Sequence, residues 1–182
     1  MTKMRGSKCY KFTKTPYTRK SKFKKKMYVR GGIPSLLITK FDMGLSNREY
    51  PLRVSMFSLQ TGQILHSCME SARQVAHRYL SDKLGKEDFH FKIKAYPHQV
   101  CRYHSIAMGA GADRYSSGMA RPYGKPVALA AQVKAGQEIM YLEMEANREN
   151  DARIAFKKAS SKLPLTMFVD VTKKPKVEKK KD

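Results

Sequence analysis

His98, Cys101 and His104 stand three residues apart and are of types that hold zinc, so the chemistry they suggest is zinc-dependent catalysis. Their spacing does not suit it. On a strand His98 and His104 face one way and Cys101 the other, and no fourth ligand stands nearby, so polar strand and loop residues are the better reading. His66 and His77 share roughly one face of a candidate helix, but no acid or cysteine at suitable spacing completes a site. Residues 109–114, GAGADR, begin like a dinucleotide fingerprint. The third glycine of GxGxxG would fall at Arg114, however, no helix follows, and no GxxxxGK[ST] occurs. With no GxSxG and no acid pair flanked by apolar residues, the chain offers no catalytic set, and no enzyme activity, cofactor, metal or small-molecule substrate is expected.

The charge points to a polyanion instead. Of 182 residues, 37 are Lys or Arg and 15 are Asp or Glu, a net charge of +22. Lys3, Arg5, Lys8, Lys11, Lys14, Arg19, Lys20, Lys22, Lys24, Lys25, Lys26 and Arg30 fill the first 30 residues, and the first acid is Asp42. Such an arm repels itself until phosphate neutralises it, and counterion release then drives binding. Tyr10, Phe12, Tyr17, Phe23 and Tyr28 are interleaved with the cations and suit stacking on unpaired bases. Gly6, Pro16 and the threonines oppose an amphipathic membrane helix, so RNA is the expected partner. A lysine-rich tail occupies residues 171–182. No apolar run approaches the roughly 20 residues of a bilayer span and no signal peptide is legible, so a cytoplasmic chain with no membrane partner is expected. Cys9, Cys68 and Cys101 are few, odd in number and widely spaced, which favours reduced thiols over a disulfide framework.

The elements that must position these groups read as one α+β domain over residues 31–170, flanked by the arm and the tail. Residues 35–43 and 52–59 read as strands, and a helix follows Thr61-Gly62, running from Ile64 to Gly85. Residues 89–95, FHFKIKA, alternate, with one face core and the other basic. A short strand covers residues 98–103. The strands at 127–133 and 138–144 flank KAGQ and read as a hairpin. Asn147 suits the N-cap of a second helix, with Glu149 and Asp151 in its first turn and Pro164 as its stop, before a last strand at 165–171. The expected fold is α+β, a mostly antiparallel sheet of six or seven strands with two helices on one face.

Residues 109–126, GAGADRYSSGMARPYGKP, carry Arg114, Arg121 and Lys125 but almost no large aliphatic side chain, so a partner outside the fold is expected to order them. This stretch also carries a resemblance. The run 109–114, then Gly118-Met119 and Gly124-Lys125-Pro126, is similar to the signature of the large-ribosomal-subunit protein family called L-sixteen in bacteria and L-ten-e in archaea and eukaryotes. Arg30 to Pro34 (RGGIP), Ala72-Arg73, Phe89-His90 and Gly136-Gln137 resemble its archaeal and eukaryotic branch, and the lack of a long C-terminal extension suggests the archaeal type. The resemblance implies an α/β-hammerhead fold bound to large-subunit, 23S-type rRNA between the central protuberance and the stalk base, among neighbouring ribosomal proteins. It also implies a place beside A-site tRNA. A loop within residues 102–126, containing Arg102, Tyr103, His104, Ser105, Gly109, Gly111, Asp113 and Arg114, would reach toward the acceptor end of P-site tRNA, and Arg121 and Lys125 would meet rRNA. The chain departs from its relatives at Gln99 and at Tyr103 to Ile106, while keeping Arg102. The rival reading is a non-ribosomal basic protein that coats RNA or DNA.

Overall fold

A computed structural model describes residues 32–85 and 87–173; the basic arm and residues 174–182 lie outside them. The elements, in chain order, are β1 (Asp42–Gly44), β2 (Leu52–Ser58), β3 (Gly62–Leu65), α1 (His66–Leu84), β4 (Phe89–Ile93), β5 (Gln99–Tyr103), β6 (Lys125–Val133), β7 (Glu138–Met144), α2 (Glu149–Ser160) and β8 (Met167–Lys173). All strand pairs are antiparallel, in a five-stranded sheet of order β1-β4-β7-β2-β8 and a three-stranded sheet of order β3-β6-β5. The α+β class is as read from the sequence. The single sheet is replaced by two.

Alternation builds the core. Leu52, Val54 and Met56 of β2, Phe89, Phe91 and Ile93 of β4 and Met140, Leu142 and Met144 of β7 bury one face of the large sheet against both helices. The helices present Met69, Ala72, Ala76 and Leu80 from α1 and Ala152, Ala155, Phe156 and Ala159 from α2. The small sheet packs Leu65, Cys101, Ala128 and Ala130 against Cys68 of α1, so that helix lies beside both sheets. Gly85 ends α1 with φ 90°, its N–H donating to the Ser81 carbonyl.

Several boundaries move for identifiable reasons. Only Asp42–Gly44 of the strand expected at 35–43 joins a ladder. Upstream, the Thr39 N–H and hydroxyl both donate to the Glu70 carboxylate and the Leu37 N–H donates to His66 Nδ1, so these groups bond side chains of α1 rather than a strand partner. Ile64 lies not in the helix but in β3, opposite Ala131. The expected hairpin is absent: β6 pairs with β3 and β5, whereas β7 pairs with β2 and β4. At the KAGQ turn the Gly136 N–H donates to the Ser58 carbonyl and the Ser58 N–H to the Gln137 carbonyl, at 2.7 and 3.1 Å, and the chain crosses from one sheet to the other. Asn147 sits in a 3-10 turn, Ala146–Arg148; Arg148 is the N-cap of α2, with Glu149 and Asp151 in the first turn. The helix ends at Ser160, four residues before Pro164, and Leu163 is buried beyond it.

Candidate nucleic-acid interface

The glycine-rich segment hangs from the β5–β6 ladder. Tyr103 is the register partner of Lys125 and Arg102 of Pro126, after a bulge between Cys101 and Arg102. Residues 104–124 form the intervening loop. Its base is tightly closed: a Cβ on Gly124, whose φ is +73°, would lie 2.8 Å from the Tyr103 carbonyl, so only glycine fits there. Arg102 tightens the same end, donating from Nη1 to the Tyr123 carbonyl at 3.0 Å with its guanidinium 3.6 Å from the centre of the Tyr123 ring.

Farther out, the loop bonds mainly to itself. His104 Nε2 lies 2.8 Å from the Gly118 carbonyl, and the Ala107 N–H donates to the Ser116 hydroxyl. A 3-10 turn at Ala112–Arg114 starts from Gly111 in the left-handed conformation and leaves Asp113 and Arg114 exposed, as are Ser105 and Gly109. Arg121 is the one non-glycine residue with positive φ, 54°, among the described residues. No carboxylate of the described residues pairs with Arg114, Arg121 or Lys125, and all three are exposed. Their charge is available to phosphate.

The structure separates the three zinc candidates. His98 packs on the Tyr96 ring at 4.6 Å, Cys101 Sγ approaches Gln63 Oε1 at 4.0 Å, and His104 meets Gly118. Burial pushes the Cys101 thiol up to about 11, which opposes the thiolate a metal requires. Among the described residues no group of three His, Cys, Asp or Glu side chains is placed to hold a metal ion.

The outer face of β4, read from sequence as basic, is neutralised. Lys92 pairs with Asp42 at 3.0 Å, and His90 lies between Asp42 and Glu143 at 2.6 and 3.1 Å. Lys94, Arg53 and the Ser55 hydroxyl converge on Glu138, and Arg53 covers the Tyr141 ring at 4.1 Å. Burial alone would raise the Glu138 carboxyl, but donation from Arg53, Lys94 and Ser55 outweighs it and holds Glu138 below the ordinary glutamate range. These contacts were invisible in the sequence because the acids come from β1 and β7 and the cations from β2 and β4. Tyr115 and Tyr123 were also passed over, although the signal was present: each stands beside a cation, Arg114 and Lys125 being one and two residues away. The arm residues Lys3 to Arg30 lie outside the described residues.

The two-sheet α+β body thus presents an exposed cationic loop whose charge is available to phosphate. The pattern that defines the family described as Ribosomal protein L16p/L10e matches residues 13–169. Similar proteins include the large ribosomal subunit protein uL16 of Methanocella arvoryzae, 38% identical over 173 residues that cover 95% of this chain and 96% of that protein. The uL16 of Staphylothermus marinus is 37% identical over 89% of this chain and 90% of its own length, and that of Methanococcus maripaludis 37% identical over 93% and 95%. The chain belongs to the L16p/L10e ribosomal protein family. It is a structural protein of archaeal type and not an enzyme.

Proposed function

We propose that the chain works as a structural constituent of the large ribosomal subunit, bound to its rRNA and to neighbouring ribosomal proteins in the cytoplasm. The arm, through Lys3 to Arg30, and the loop, through Arg121 and Lys125, neutralise rRNA phosphates between the central protuberance and the stalk base. From there the body supports accommodation of A-site tRNA, and the segment Arg102 to Arg114 faces the acceptor end of P-site tRNA near the peptidyl transferase centre. The observation that carries this reading is the loop itself: three exposed cations without carboxylate partners among the described residues, held on a rigid antiparallel ladder. Arg121 adopts a left-handed backbone at a cost of about 1–2 kcal/mol.

Sedimentation of the tagged chain through a sucrose gradient after a high-salt wash tests the proposal. The expected result is stoichiometric retention on large subunits, abolished by ribonuclease. Arg121→Glu and Lys125→Glu should each lower retention about tenfold while leaving the thermal unfolding of the isolated protein unchanged. Release of the wild-type chain by moderate salt would support a loose RNA coat instead.

A further inference from the structure

Between the loop and the β5–β6 ladder lies a cavity of about 670 Å³, lined among others by Tyr103, His104, Tyr115, Ser116, Lys125 and Pro126. That volume is in the range of pockets that take a small organic ligand. The lining combines π-faces, hydroxyls and one ammonium, and it contains no carboxylate. It therefore suits an anion that also carries an aromatic ring and hydroxyls. A nucleotide has all three.

The walls differ in secondary structure. Tyr103 and Lys125 are register partners on the ladder, so a phenol ring and a cation rise from one fixed strand pair. The loop contributes Tyr115, a residue 86% exposed whose ring makes no ring contact among the described residues. An aromatic ring left in water beside a cationic cavity is placed to gain from a base stacking on it. Because that wall stands at the surface, one nucleotide can enter while its chain neighbours remain outside.

We propose that this cavity receives a single unpaired ribonucleotide of ribosomal RNA or of the tRNA acceptor end, its base stacked on Tyr115 and its phosphate on Lys125; the proposal rests on the ribosomal reading above. Large subunits carrying the wild-type chain or the Tyr115→Ala chain, with protein occupancy measured by mass spectrometry, are probed by 2′-hydroxyl acylation, first vacant and then with deacylated tRNA bound. One nucleotide protected in the wild type should become at least about fivefold more reactive in Tyr115→Ala at equal occupancy. A change in vacant subunits identifies rRNA as the source; a change only with tRNA bound identifies tRNA. Tyr115→Phe keeps the stacking face and should protect like wild type, and loss of protection in that variant overturns stacking at this ring. Unchanged reactivities in both arms with the chain retained overturn the cavity proposal and leave the ribosomal reading standing. A wild-type chain absent from subunits removes both.

Discussion

Glu138 shows how a single carboxylate becomes indispensable once neighbours are folded around it. It accepts hydrogen bonds from Arg53 at 2.8 Å and Ser55 at 2.7 Å and pairs with Lys94, while its own side chain is mostly buried. Glu138→Ala removes these hydrogen bonds, leaving Arg53 with Glu143 and the Tyr141 ring and Lys94 with water, and should cost about 1–2 kcal/mol, read as a lower urea midpoint. A second carboxylate behaves alike: donation from Arg73 holds Glu70 below its ordinary range, against burial and with help from Gln74. Because these native values are lowered, the stability they contribute is fully present above the ordinary value of 4.5 and is lost as pH falls through the native values. Because burial also lowers His66, the wild-type urea midpoint should begin to fall below the ordinary histidine value of 6.5 and fall further below 4.5, and Glu138→Ala should flatten only that lower limb. An equal acid limb in both proteins would refute the assignment.

At the scale of the element, the loop's usefulness depends on its closed end. Gly124 meets the Tyr103 carbonyl where no side chain fits, and Arg102 locks onto Tyr123 beside it. Gly124→Ala should strain this junction by about 1–3 kcal/mol, because both its positive φ and the 2.8 Å approach oppose a Cβ. The effect belongs to the loop, so limited proteolysis within residues 104–124 should accelerate severalfold. Fluorescence-monitored global unfolding should shift less, since the main core is built from β2, β4, β7 and the helices. Equal proteolysis rates would mean that the loop base is not held by this contact.

For the whole molecule, the proposed function assigns much of the RNA binding to a part of the chain outside the described core. The buried cluster of the described residues runs from Ile38 to Leu163, whereas twelve of the 37 basic residues lie in the first 30. Removing residues 1–30 should therefore leave the unfolding temperature within a few degrees of the full chain. It should also flatten the dependence of log K on log salt for single-stranded RNA. If half of the twelve cations sit on phosphate, at about 0.7 each, the slope falls by about four. An unchanged slope would place the electrostatic contact on the body.

What the sequence alone determined was whatever depends on near neighbours. Period-two alternation in FHFKIKA, three-and-four spacing from Cys68 to Leu80, the Gly85 stop and the charge of the arm follow from local chemistry, and each can be read without a partner. The cationic loop was legible for the same reason, as a run with nothing to bury. Tertiary structure alone decided which strand pairs with which. The turn KAGQ has hairpin chemistry, and the Gln137 N–H closes it onto the Lys134 carbonyl, yet its flanking strands part, because β6, buried along Ala128 to Ala131, fills the small sheet and β7 fills the centre of the large one. The same long-range pairing turned a face that read as basic into a neutral network, since a lysine's partners at β1 and β7 are set by register and not by spacing along the chain.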